Sequence, residues 1–167
     1  GFVVALRAPL LCAVGQCAFV VDAAKAEKAT ITLTPEDLGL AARVVAEAAA
    51  VNEVRLRAGL PLFVIDRAMS RDCEKHCYFL FRNGLHGAWK GGMVHFENPK
   101  MQGYSPEGRA AGMGSAMHTG QTSYRAAVDD WARSLWHSIG MINPKLERFG
   151  VGMKHGVAMF YRAYDEK

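Results

Sequence analysis

An α/β fold built around one core is the class this sequence predicts, and three observations carry it. Half of the 167 residues are hydrophobic and 10% are aromatic, which suits one domain with a sizeable interior. Two long stretches in the amino-terminal half follow helical periodicity. The chain closes with two alternating segments, LERFGVGM and GVAMFYRAY, joined at Lys154-His155-Gly156 as a strand pair.

The elements follow in order. Residues 1–26 place one arginine before an apolar run and end in small residues around Ala24 and Ala26, the build of an export leader. A buried hairpin or helix is the alternative for this stretch. At about 14 residues the run is too short to cross a bilayer as a helix. The domain proper is expected over 30–167, opening with a short strand, ATITL. Thr34, Pro35, Glu36 and Asp37 then supply an N-cap, a proline at the first helical position and acids in the first turn. That helix should stop at Gly59, a natural left-handed cap. A second helix is expected over 67–83, ended by Asn83-Gly84, with Met69, Cys73, Cys77, Leu80 and Phe81 on one side. Cys73 and Cys77 share a helix face, which places them poorly for a disulfide and suits packed thiols; with His76 they lack the further partners zinc needs.

From Gly84 to Gly120 the composition turns to Gly, Pro, His, Met and aromatic residues, with one short helix expected at Ser105-Pro106. A segment of this kind is more often functional than idle. Its Trp89, Met93, Phe96, Met101, Tyr104, Met113 and Met117 either line an apolar groove or pack the loop onto the sheet. A third helix starts at the N-cap Ser123, with Val128, Trp131, Leu135 and Trp136 near the spacing of a buried stripe and His137 directly after it. Asn143-Pro144 turns the chain into the final strands.

Net charge is +4, from 20 basic and 16 acidic residues scattered singly, and no basic stripe interleaved with aromatics argues for nucleic acid. Neither HExxH nor Gly-x-Ser-x-Gly is present.

Four segments resemble the CAP superfamily of cysteine-rich secretory, antigen 5 and pathogenesis-related proteins, especially its bacterial SCP-like branch: VNEVRLRAGLPLFVIDRAMSRDCEKH, MVHFENPKMQGYSPEGRAAGMG, AAVDDWARSLWHSIGMINPKLERFGVG and the closing strand. The likeness runs over roughly residues 40 to 164. It implies a three-layer α-β-α sandwich with a small, mainly antiparallel sheet, the two long amino-terminal helices on one face and the Trp helix on the other. It also implies a central cleft with two histidines and up to two glutamates, which in some members hold a divalent metal.

By motif position the cleft histidines are His95 and His137. Met113 stands where a carboxylate is usual, and Ser134 ends Trp131-Ala132-Arg133-Ser134 where relatives have Trp-x-x-Glu. Glu97 is the nearest substitute, two residues past His95 and on the same side of an extended chain. His76 lies where bacterial members often carry histidine, for packing rather than ligation; His86, His118 and His155 read as exposed.

The resemblance implies a secreted, extracellular or periplasmic protein whose cleft binds a small apolar ligand or an extracellular partner without turnover. The competing expectation is a hydrolase using a weakly bound divalent metal such as zinc on His95 and His137, with Glu97 as a further ligand and Glu107 as base.

Overall fold

The structure, a computed structural model, describes residues 42–87 and 94–162. The leader and domain start, Cys12 and Cys17, the ATITL strand, the Thr34 helix start, Trp89 and Met93 lie outside the described residues.

Helix α1 (Ala42–Arg57) ends where expected: Gly59 takes φ +69° just beyond it. Strand β1 (Val64–Ile65) leads through Asp66 into α2 (Arg67–Arg82), whose first turn Asp66 caps by accepting from the Met69 N–H. Asn83 closes α2, and Gly84 follows with φ +66°. Ser105 caps α3 (Pro106–Gly114), with proline at the start of the helix. Strand β2 (Ser115–Thr119) follows without a break. Ser123 caps α4 (Tyr124–Arg133), helped by Glu47 of α1, whose carboxylate accepts from the Ser123 hydroxyl and the Arg125 N–H. A short helix, α5 (Leu135–Met141), precedes the hairpin of β3 (Arg148–Lys154) and β4 (Val157–Tyr161). His155 and Gly156 both have positive φ, at 53° and 75°, as a two-residue hairpin turn matched to strand twist requires.

The sheet order is β1-β3-β4-β2, with β1 parallel to β3 and the other pairs antiparallel. The expected small, mainly antiparallel sheet between helical layers is what the chain forms.

The layers are assigned differently from the expectation. The first long helix shares its face of the sheet with the Trp helix: Val45, Val51, Tyr124, Val128, Trp131 and Met141 pack with Phe149, Val151 and Phe160 in one core. The other face carries α2 and α3, where Cys73, Cys77, Leu80 and Ala111 meet Met117, Val157 and Met159. Strand alternation explains the split. Along β3, Phe149 and Val151 point to one side and leave Gly150 and Gly152 on the other. A Cβ at Gly150 would lie 2.6 Å from the Met69 carbonyl carbon, and one at Gly152 would lie 2.7 Å from Cys73 Cβ, so α2 rests on a bare strip of backbone. Helix α2 is joined to β1 by a single residue and is committed to that side.

A second correction concerns the Trp helix. Ser134 is extended (φ −99°, ψ 124°) and divides it, so the buried stripe ends at Trp131 while Leu135 and Trp136 face outward. Cys73 and Cys77 are buried free thiols, as their helical spacing suggested, and burial pushes the Cys77 thiol up to about 12.

Candidate functional site

The candidate cleft residues separate into two groups. His76 and Glu97 are fully buried at the side chain and bonded to each other, His76 Nδ1 to Glu97 Oε1 at 2.9 Å. His76 Nε2 donates to the Val94 carbonyl at 2.8 Å, and the second Glu97 oxygen accepts from the Ser105 N–H at 2.8 Å. Both ring nitrogens thus face oxygens, and His76 holds the two ends of the 94–97 segment while Glu97 ties that segment to the cap of α3. Two glycines make room for the pair. A Cβ at Gly112 would come within 2.5 Å of the His76 ring, and one at Gly108 would come equally near Glu97 Oε1.

Glu97 was expected beside His95 in the cleft; the structure places it in the interior with His76. The chain at 94–95 makes a tight turn rather than an extended arm, so Glu97 points inward where His95 does not. The buried imidazole gives that carboxylate a partner that open solvent could not match. Glu107, the expected base, sits in the exposed first turn of α3 against Lys75 at 3.3 Å; its own backbone N–H, then Lys75, keep its carboxyl below the usual range. It therefore holds a proton less well than an ordinary glutamate and is poorly suited to that role.

His95 is half-buried and lines an open pocket of about 330 Å³ with Phe96, Met113 and Ser115. Its Nδ1 donates to the Gly112 carbonyl at 2.9 Å, which puts the acceptor of the neutral ring at Nε2. Gly112 therefore lies against both histidines, with the ring of His76 packed on it and His95 bonded to its carbonyl. Ser115 turns its hydroxyl back to the Ala111 carbonyl.

His137 sits on α5, half-buried, with Nδ1 bonded to Ser134 Oγ at 3.0 Å. Ser134 is the residue in the place of the expected glutamate, so a neutral hydroxyl meets this ring instead of a carboxylate. Arg162 approaches from the sheet edge. Its N–H bonds the Gly114 carbonyl, and its guanidinium lies so close over Gly140 that a Cβ there would overlap it. Burial first, then the positive charge of Arg162, then His95 and His118 hold the His137 ring below its ordinary value of 6.5. His95 and His137 are thus near enough to couple electrostatically.

His118, expected to be an exposed loop residue, is a half-buried residue of β2 whose Nε2 pairs with Asp130 at 3.2 Å. Met117, on the same strand, is core. His155 stacks on Phe81 in the hairpin turn. Gly112 and Arg162 escaped sequence reasoning, since a glycine and an arginine carry no spacing signal of their own, and Ser134 was legible only as the place of a missing glutamate.

Among the described residues no group of three or more His, Cys, Asp or Glu side chains is arranged to hold a metal ion. The carboxylate expected to join His95 and His137 is committed to His76, Met113 supplies a thioether, and Arg162 adds positive charge beside His137. This donor set does not fit a divalent metal, since catalytic zinc sites take three protein ligands.

An NMR titration should put the His137 midpoint below 6.5 and move it upward in Arg162→Met, because removing the cation makes protonation easier. The sign for stability follows. The unfolded ring takes up a proton before the folded one, so this residue's contribution is complete above 6.5 and is lost as pH falls toward the folded value. An unmoved midpoint in Arg162→Met would remove that guanidinium from the site.

The layered α-β-α sandwich is a fold that a solved structure shares. A solved structure of an extracellular protein containing a SCP domain, from Bacillus anthracis str. Ames, has the same fold at 18% identity and a TM-score of 0.56, over 78% of this chain. This chain spans 44% of that protein's length. An outer surface protein from Borrelia burgdorferi aligns over 72% of this chain and 91% of its own at 14% identity and a TM-score of 0.45. No curated protein matches the sequence. The model of the CAP family, the cysteine-rich secretory protein family, matches residues 48–160, and the chain belongs to that family.

Proposed function

We propose that this protein is an exported CAP module that binds, without turnover, a single-chain amphiphile with an acidic or hydrogen-bond-accepting head. The observation that carries the reading is the lining of the pocket. Phe96 and Met113 present exposed apolar surface beside His95, whose charge and that of Arg162 both act on His137, and no carboxylate is among the described lining residues. An apolar wall with a few convergent polar groups is the usual build of a small-molecule site. Export is supported by the leader-like residues 1–26 and by the extracellular SCP-domain neighbour from Bacillus anthracis. No helix among the described residues is long and apolar enough to cross a membrane.

Hydrolysis assisted by a metal finds less support, because the carboxylate it needs is bonded to His76.

Calorimetric titration with dodecanoate and with dodecanol is the test. Saturable binding of both is expected, the carboxylate tighter, and Met113→Glu should weaken dodecanoate roughly tenfold by setting like charge beside the head. Absence of saturable binding by either compound, or binding untouched by Met113→Glu, would overturn the assignment.

A further inference from the structure

Helix α5 turns its apolar side chains away from the core. Trp136 and Leu135 are 79% and 70% exposed, and Ile139 and Ile142 are 46% and 40% exposed. Leu135, Ile139 and Ile142 follow the i, i+4, i+7 spacing of one helical stripe, with Trp136 beside it. The opposite side needs none of them: Gly140 is closed over by Arg162, and the Met141 carbonyl accepts from Arg55 at 2.8 Å. The helix is therefore held firmly from behind while its outer face has no partner within the described fold.

From Trp131 to Leu146 the sequence has no acidic residue, with Arg133 and Lys145 flanking the stripe and Asp129, Asp130 and Glu147 lying just beyond it. The Arg133 side chain is 80% exposed and reaches Asp130 only at 3.6 Å, and Asp130 is shared with His118. An apolar strip with a tryptophan at its edge and cations at both ends complements an anionic lipid surface, where indole prefers the headgroup level and basic side chains meet phosphates. A second copy is a weaker fit. A stable interface needs about 800 Å² from each partner, and a stripe of four side chains on so short a helix offers a few hundred at most.

We infer that the outer face of α5 docks this protein on anionic phospholipid bilayers, with Leu135, Trp136, Ile139 and Ile142 entering the interface and Arg133 and Lys145 pairing with headgroups. The inference stands apart from the pocket. The stripe is on the outside of α5, and dodecanoate binding is not required for it.

Full-length protein sedimented with vesicles of 70% phosphatidylcholine and 30% phosphatidylglycerol should bind, and should release as NaCl is raised from 0.05 to 0.5 M. Leu135→Ser/Trp136→Ser should lower vesicle affinity at least roughly tenfold, given the apolar area of the two side chains. Arg133→Glu should lower it without any change in the apolar stripe. Both variants are solvent-facing and should keep the parental melting temperature and dodecanoate binding. Equal vesicle binding by the parent and either variant, or no binding by the parent, would overturn the inference. So would a dimer in sedimentation equilibrium that the double serine variant dissolves, which would assign the face to a second copy, or parental binding that only Met113→Glu abolishes, which would assign it to the pocket.

Discussion

Arg55→Met is expected to lower unfolding free energy by about 3–5 kcal/mol, the range found when a buried, multiply bonded charge is removed from its partners. The guanidinium is fully buried. It donates from Nε to the Pro61 carbonyl at 2.6 Å, from Nη1 to Met141 and Asn143 at 2.8 and 3.0 Å, and from Nη2 to Leu146 at 3.3 Å. It also lies 3.6 Å from the centre of the Phe63 ring. One side chain therefore joins α1 to the end of α5 and to the turn that starts β3. Methionine fills similar space and takes the guanidinium donors from all four carbonyls, of which Asn143 keeps the Leu146 N–H. Thermal unfolding should show a midpoint about 10–20 °C below the parent for a domain of this size. Arg55→Lys should fall between the two, because an ammonium cannot reach carbonyls spread across a planar fork. A midpoint for Arg55→Met within a few degrees of the parent would mean that these carbonyls find water or new donors.

Glu97→Ala should cost about 3–5 kcal/mol by the same physics, since it strands a buried imidazole and the Ser105 N–H together. Glu97→Gln is the informative partner. An amide can accept from Ser105 with its oxygen and donate to Nδ1 from its nitrogen, provided that His76 is neutral and keeps its proton on Nε2 for Val94. Glu97→Gln should therefore lose less than half as much as Glu97→Ala. His76→Ala and Glu97→Ala should combine to less than the sum of their separate losses, as members of one network do. Urea denaturation of the two single variants and the double variant measures this. Strict additivity would show that the residues act independently. Because the pair fixes the 94–97 turn, weaker dodecanoate binding in Glu97→Ala under conditions where it is still folded would show that the turn positions His95.

Much of the architecture could be read from local chemistry. Ser105-Pro106 and Ser123 each place an oxygen where the first free N–H groups of a helix need one. Gly59 and Gly84 sit where the chain leaves a helix with positive φ, and His155-Gly156 makes the hairpin turn. These signals are legible because the forces behind them act over a few residues. Family membership was legible too, from motifs that turn out to hold the frame: Arg55 binds four carbonyls, Asn52 bonds both the N–H and the carbonyl of Phe63, and the Gly-Val-Gly of β3 admits α2.

Other features were settled only when the chain closed on itself. Strand β1 is two residues long, and β2, Ser-Ala-Met-His-Thr, has weak strand character; their partners Phe149 and Met159 lie tens of residues away. Side-chain alternation in β3, with aromatics on one side and glycines on the other, decided which helices share a layer, and no periodicity within a helix contains that choice. Glu97 was placed by a buried histidine on α2, because a buried carboxylate needs a hydrogen-bond partner from the protein where solvent would otherwise supply one. The outward turn of Leu135 and Trp136 came from the break at Ser134. The sequence by itself determined the family, the helix ends and the terminal hairpin; the tertiary structure decided which polar groups reach the pocket and which apolar ones face out, because those outcomes depend on partners that only folding brings within reach.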